Sequence, residues 1–220
     1  MLSFTEENYL KALLKLSSQN AEKPEAGTNE MAHDLGVKPA TATDMLKKLK
    51  EKGLVDYQKY GKIILTETGR QHGIAILRKH RLWETFLYEK LDFSWDEVHE
   101  VAEQLEHIQS TKLVDKLEEF LNFPEFDPHG DPIPNAKGEM PIVPKTLLSE
   151  ITAGNTCRVT AVKDTSTAFL QYLEKLHITI GTNLIVVEVI DFDGSMNISI
   201  GDAPARNVSM KFADSLFVSG

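Results

Sequence analysis

Residues 28–69 read "TNEMAHDLGVKPATATDMLKKLKEKGLVDYQKYGKIILTETG", and the punctuation of this stretch decides the N-terminal fold. Thr28 can cap a short helix that Gly36 ends, because glycine accepts the left-handed position after a last helical turn. Pro39 suits the first turn of a second helix, which runs to Lys52 and is ended by Gly53. "LVDYQ" and "KIILT" read as short strands around "KYG", a hairpin with glycine at its tip. Helix, turn, helix, hairpin is the winged helix-turn-helix order. Its second helix opens with Lys38, Pro39 and the slender Ala40, Thr41 and Thr43, residues suited to reading base edges, while Lys47 and Lys48 lie alongside to meet phosphates. The wing adds Lys59, Tyr60 and Lys62 for backbone contacts. A lysine-rich amphipathic helix alone would carry no such meaning; the order of the elements points to double-stranded DNA.

Upstream, Ser3 and Glu6 form a capping box before "ENYLKALLKL", which predicts a helix over 4–19 with Tyr9, Leu10, Leu13, Leu14 and Leu16 on its apolar face. Downstream, a long helix is expected from 67 to 90, carrying Ile74, Leu77, Leu82, Phe86 and Leu87. "DFSWDEVHEV" restarts a helix with a second capping box, Ser94 to Glu97, and "TKLVDKLEEFL" (111–121) is another. Six of the nine prolines fall between 124 and 144, a density that blocks helix and central strand alike. From 145 the runs become short and β-branched ("TCRVTAV", "NLIVVEVI", "MNISIG", "NVSMKF", "SLFVSG"), interrupted by one helix, "TAFLQYLEKL". This reads as a small β-barrel of about 70 residues. The expected class is mainly α with a small β portion. The expected domains are a winged helix over 1–70, a helical dimerisation and metal-binding domain over 71–140, a linker over 141–156 and a β domain over 157–220.

The 220 residues contain no apolar run near the ~20 needed to span a membrane. The acidic N-terminus lacks an apolar signal core, so a cytoplasmic protein is expected. A lone cysteine, Cys157, rules out an intramolecular disulfide framework and a four-cysteine zinc site. Net charge is −9, but unevenly spread: residues 38–62 set seven lysines against Asp44, Glu51 and Asp56, a local +4, whereas residues 84–131 set fourteen carboxylates against three lysines, a local −11. One segment suits phosphate and another suits cations.

The acidic segment contains "HEVAEQLEH" (99–107). On a continuous helix His99, Glu103, Glu106 and His107 would lie at relative angles of roughly 0°, 40°, −20° and 80°, a single face. His80 and Glu84 repeat the i, i+4 spacing on the preceding helix, and antiparallel packing would converge six nitrogen and oxygen donors. Divalent first-row metals take such mixtures; the competing reading is a solvated acidic face with incidental histidines.

Taken together these stretches resemble the DtxR/MntR family of metal-dependent transcriptional repressors. "TEENYLKALLKL" resembles its first helix, "LTETGRQHGIAILRKHRLWETFL" its linking helix, "VHEVAEQLEHIQS" its metal-bearing helix and "DPHGDPIP" the loop before its SH3-like (FeoA-like) domain. The resemblance implies a regulatory site of Glu103, Glu106 and His107 with Asn8 from the first helix and His80 as in manganese-type members. An ancillary site would use His80, Glu84 and His99, or Glu84 with Asp127, His129 and Asp164. Glutamate at 103, where iron-type members carry cysteine, favours Mn²⁺, with Fe²⁺ the alternative and Zn²⁺, Co²⁺ or Ni²⁺ able to occupy the sites. Lys11 stands where two-metal members have a second acidic ligand, and its ammonium would repel a second cation. The expected protein is a non-enzymatic, homodimeric repressor of metal homeostasis on a palindromic operator, dimerising around Trp83, Phe86, Trp95 and Leu117. A metal-independent winged-helix regulator and a His/Glu metallohydrolase are the other two readings.

Overall fold

The first helix, α1 (Phe4–Gln19), starts on its capping box: the Ser3 amide donates to Glu6 Oε2 (2.9 Å) and the Glu6 amide to Ser3 Oγ (3.3 Å). This is a computed structural model, and it describes residues 2–19, 25–57 and 62–220. Two units divide the chain, the first comprising Met1–His80, Glu103–Asp115 and Pro134–Glu139 and the second the remainder.

In the first unit, α1 is followed by β1 (Ala26–Gly27), α2 (Thr28–Asp34), α3 (Pro39–Glu51), β2 (Val55–Tyr57) and β3 (Lys62–Leu65), and the strands form an antiparallel sheet in the order β1-β3-β2. Thr28 does not cap α2. The cap is Gly27, whose amide donates to Glu30 Oε2 (2.7 Å), so the closing side chain comes from within the helix. Gly36 and Gly53 both take positive φ (63° and 68°), as the helix ends require. Leu10, Leu13, Met31, Leu46, Leu49 and Ile63 are fully buried and tie α1, the helix-turn-helix and the sheet into one core. The wing tip, with Lys59 and Tyr60, lies outside the described residues.

The long helix α4 (Glu67–Leu91) begins in this unit. A Cβ on Gly73 would sit 3.1 Å from the Leu10 carbonyl oxygen, so its missing side chain lets α1 and α4 approach closely. After a turn at 95–97, α5 runs only from Val98 to Leu105, and α6 spans Thr111–Phe120. Ser94 and Glu97 do make their capping contact (Ser94 amide to Glu97 Oε2, 2.9 Å), but regular helix starts after it.

The second unit carries β4 (Thr146–Leu147), β5 (Thr156–Val162), α7 (Thr167–Lys175), β6 (Asn183–Val189), β7 (Met196–Ile200), β8 (Arg206–Val208), α8 (Met210–Ala213) and β9 (Leu216–Ser219). The antiparallel sheet runs β4-β9-β5-β6-β7-β8, with bulges at Val159/Ala161 and Val186/Glu188 that bend it. Alternate residues (Cys157, Val159, Leu184, Val186, Met196, Ile198) point inward, and Leu170 and Leu173 of α7 cover them.

The predicted dimerisation face needs correction. Trp83, Trp95 and Leu117 are buried within the chain at 9%, 9% and 6% exposure, and Trp95 belongs to the core of the β domain. Phe120 and Phe123, both 64% exposed, are the large apolar side chains left outside in the second unit near α6. Among the described residues no helix is long and apolar enough to cross a membrane.

Candidate metal centres

The end of α5 at Leu105 separates the residues that a continuous helix would have aligned. Glu106 and His107 occupy the following turn and face α1 in the first unit, while His99 belongs to the second. Leu10 and Leu13 anchor α1 in the core, and this rotation presents Glu7 and Lys11 to the turn.

Five contacts hold that arrangement. His107 Nδ1 donates to Glu7 Oε2 (2.6 Å), and Gln109 Nε2 donates to Glu7 Oε1 (2.6 Å). Phe4 stacks on the His107 ring at 4.5 Å. Lys11 Nζ donates to Glu106 Oε2 (2.7 Å), as does His80 Nδ1 (2.6 Å). Burial pushes the Glu106 carboxyl upward, but the His80 hydrogen bond and the Lys11 charge outweigh it and hold Glu106 below the usual carboxylate range. Lys11 also lies 3.5 Å from Glu103 Oε1.

This donor set fits a divalent cation. Glu106 Oε1 and Asn8 Oδ1 are buried without any hydrogen-bond partner, a state that costs about 1–3 kcal/mol each when nothing compensates. His107 commits Nδ1 to Glu7 and so leaves Nε2 as the ligating nitrogen, 4.0 Å from Glu106 Oε1. A carboxylate orienting a histidine through its other nitrogen is the usual support for a metal ligand. Of the five residues predicted here, Glu106 and His107 lie side by side, His80 holds the Glu106 carboxylate, Glu103 lies at the exposed margin, and Asn8 follows Glu7 on α1 with its Oδ1 buried and unpartnered. Glu7 and Gln109 were not anticipated; the only signal for Glu7 was its place beside Asn8.

A second cluster is built wholly within the second unit. Ligand atoms of Glu84, Asp127 and His129, all buried, lie within 4.8 Å of one another. The loop at 126–133 folds back on itself through a Phe126–Pro132 bridge, and Asp127 Oδ1 accepts the amides of His129 (2.9 Å) and Asp131 (3.0 Å). The Val162 amide donates to the His129 carbonyl (2.9 Å), docking the loop on β5. His129 Nε2 donates to the Trp95 carbonyl (3.0 Å), which leaves Nδ1 facing Glu84 Oε2 at 3.8 Å. Glu84 Oε1 accepts from His99 Nδ1 (3.0 Å). Asp164 is not in this cluster: its Oδ1 accepts the Ser166 amide (2.9 Å) in the turn before α7.

Burial and the Glu84 and Asp131 charges push Asp127 up to about 7, although Arg81 and His129 oppose this. Burial works against a charged His129, but Glu84 and Asp127 reverse the balance and raise it. Three crowded carboxylates and an imidazole with a directed lone pair suit a cation. A ligating Asp127 must lose its proton, so Mn²⁺ binding to this cluster is expected to weaken as pH falls below about 7 and to release protons. Titration calorimetry in buffers of differing ionisation enthalpy reads this directly; proton-neutral binding at pH 6 contradicts it.

On the helix-turn-helix, Lys38, Pro39, Ala40, Thr41, Lys47 and Lys48 are exposed and Thr43 is half-buried, whereas Ala42, Leu46 and Leu49 face the core. The surface is less basic than its lysines suggest, since Lys47 pairs with Asp44 (3.3 Å), Lys50 with Asp56 (3.4 Å) and Lys62 with Glu25.

Comparison with known proteins bears on both clusters. Three family models match: the N-terminal DNA-binding domain of iron-dependent repressors over residues 1–63, their metal-binding and dimerisation domain over 66–135, and a FeoA domain over 146–219. The chain is 32% identical over 130 residues to the iron-dependent repressor IdeR of Mycobacterium tuberculosis, covering 59% of this chain and 55% of that one. It is 30% identical over 132 residues to the regulator MntR of Listeria innocua, covering 60% and 91%. Among solved structures, a manganese-dependent transcriptional repressor in complex with manganese is 35% identical with a TM-score of 0.85, covering 97% of this chain and 98% of that one. The matched part spans about half of IdeR and less than a fifth of some other curated relatives.

Proposed function

This chain belongs to the DtxR/MntR family of metal-dependent transcriptional repressors, and on that premise we propose that it is a DNA-binding repressor of metal homeostasis switched on by Mn²⁺. The observation that carries the reading is the orphaned buried oxygen Glu106 Oε1, 4.0 Å from His107 Nε2, with a second orphaned oxygen, Asn8 Oδ1, on the helix whose Glu7 holds the His107 ring. These three, with Glu103, would hold the regulatory ion, which supplies two positive charges and directional coordination when bound. His80 and Lys11 fix the Glu106 carboxylate, and Glu7 fixes the His107 ring. Oxygen donors outnumber nitrogen and no thiolate is present, a set that favours Mn²⁺ over softer ions, with Fe²⁺ the alternative.

The chain's own geometry carries the signal onward. α1 bears the ligand Asn8 on one face and packs its other face, through Leu10 and Leu13, into the core shared with α3. Fixing α1 against the 106–107 turn therefore biases where α3 sits, provided the ion binds the DNA-competent arrangement more tightly. Two α3 helices of a homodimer, with the exposed Phe120 and Phe123 available for the shared face, would read a palindromic operator. Glu84, Asp127 and His129, with His99 alongside, form the ancillary ion site in this reading.

Operator affinity measured with and without Mn²⁺, and in parallel with Fe²⁺ and Zn²⁺, tests the proposal. Mn²⁺ is expected to raise affinity by about a hundredfold, equivalent to about 2.7 kcal/mol of coupling. Equal affinities with and without every metal would establish the metal-independent reading instead.

A further inference from the structure

We propose that the ion pair between Glu6 and Lys52 links the regulatory ion to α3, with Glu6 a positioning residue that acts through Lys52. The inference rests on the reading of the 106–107 turn as the regulatory centre, and names the element that couples it to the helix-turn-helix.

Glu6 and Glu7 are neighbours in the first turn of α1, so about 100° of helix rotation separates their side chains. Both residues are buried, and each meets a different part of the first unit. Glu7 takes the His107 ring and the Gln109 amide, beside the candidate ion centre. Glu6 takes Lys52, whose Nζ lies 2.7 Å from Oε1 and 2.8 Å from Oε2, so the ammonium straddles the carboxylate. Lys52 is the residue that closes α3: its amide donates to the Lys48 carbonyl, and Gly53 then turns the chain away with φ of 68°. One turn of α1 therefore joins His107 to the end of α3.

Helix capping does not account for the charge on Glu6. The Ser3 amide needs an acceptor at this position, and in such a box glutamine supplies one as glutamate does. A carboxylate whose side chain is only 8% exposed is costly unless a cation compensates it, and Lys52 carries that compensation. Drawing the end of α3 away from α1 would leave the charge buried and unbalanced. Apolar contacts such as those of Leu10 and Leu13 hold the elements together without fixing a direction, whereas a two-oxygen contact fixes a point on α3 against the first turn of α1. The pair from α1 to α2, Lys15 with Asp34 at 3.4 Å, is a surface contact with little hold. An ion that fixes the first turn of α1 against the 106–107 turn therefore also fixes the end of α3.

The test separates ion binding from its transmission. Mn²⁺ affinity is measured by calorimetry, and operator affinity with and without Mn²⁺ by anisotropy, in the full-length wild type, Glu6→Gln, Lys52→Gln and the reversed pair Glu6→Lys/Lys52→Glu. Glu6→Gln keeps the capping acceptor and removes the charge. It is expected to bind Mn²⁺ in the absence of DNA within about twofold of wild type, while the gain in operator affinity on adding Mn²⁺ falls from about a hundredfold to about tenfold. By reciprocity, operator DNA tightens Mn²⁺ binding about tenfold less in this variant than in wild type. The reversed pair is expected to bring the ratio back towards a hundredfold, which a residue that only supports folding would not do. A folded Glu6→Gln protein with the wild-type ratio overturns the proposal, as does one that has lost Mn²⁺ affinity, and so does a folded reversed pair no better than Glu6→Gln. A loss in Lys52→Gln that is equal with and without Mn²⁺ also overturns it, because Lys52 would then serve DNA alone. If the reversed pair does not fold, the ratio in Glu6→Gln decides. A wild type whose operator affinity ignores Mn²⁺ removes the regulatory reading itself, an outcome distinct from failure of the link.

Discussion

Glu106→Gln is expected to lower Mn²⁺-dependent operator affinity by about a hundredfold, or about 2.7 kcal/mol, at Mn²⁺ concentrations that saturate the wild type. Glu106 is completely buried, and its carboxylate joins Lys11, His80 and the His107 ring. Lys11 and His80 donate to one oxygen, and the other faces His107 Nε2. An amide has one acceptor oxygen and one donor nitrogen. If its oxygen keeps Lys11 and His80, the nitrogen faces the position of the ion; if it turns, the nitrogen meets two other donors. Either orientation loses a negative ligand and leaves a buried positive charge less compensated, which costs stability as well as metal affinity. Thermal melts with and without Mn²⁺ therefore accompany operator titrations by fluorescence anisotropy. A folded Glu106→Gln protein with wild-type Mn²⁺ response would show that this centre does not control DNA binding. Glu103→Gln is the comparison, and since the Glu103 side chain is 53% exposed the loss expected there is smaller.

Gly130→Ala is expected to destabilise the second unit by about 2–4 kcal/mol and to abolish ion binding at its cluster. Gly130 has φ of 85°, and a Cβ there would lie 2.1 Å from the Thr160 carbonyl oxygen and 2.7 Å from the Ala161 Cα. Both obstacles are backbone of β5, which cannot turn aside as a side chain can. The loop would have to lift from the strand and break the Val162 amide to His129 carbonyl bond that docks it. Asp127 and His129 immediately precede Gly130, so their convergence with Glu84 goes with it. Trp95, whose ring is parallel to the His129 imidazole with centroids 5.9 Å apart, offers a fluorescence readout of that loss. Gly154→Ala calibrates the effect: φ is 86° but nothing lies within 4 Å, so only the backbone cost of about 1–2 kcal/mol is expected. Equal melting temperatures for the two variants would refute the packing argument.

Much of the fold was legible because it is written in local chemistry. The Ser3–Glu6 box, Pro39, Gly36 and Gly53 each act within a few residues, and the helices they delimit sit where expected. The apolar faces of α1 and α3 were readable from periodicity for the same reason. Thr28 failed as a cap because Glu30, three residues after Gly27, reaches back to the Gly27 amide first. The predicted dimerisation residues were legible only as apolar: aromatic size says that Trp83 and Trp95 are buried, but not whether a partner or the same chain buries them, and Phe86 is half-buried.

By itself the sequence determined the order of elements, the helix-turn-helix and the residue types of the candidate cation centre, since propensity, capping and charge are properties of short segments. Tertiary structure alone decided how those residues are shared out. It ended α5 at Leu105, so that Glu106 meets Lys11 and His107 meets Glu7 of α1, while His99 meets Glu84. It brought in Glu7 and Gln109 and left Asp164 in its own turn. It also placed Lys11 on Glu106, across 95 residues of chain. Which carboxylate such a charge meets depends on how α1 is rotated in its core, and no short segment contains that information.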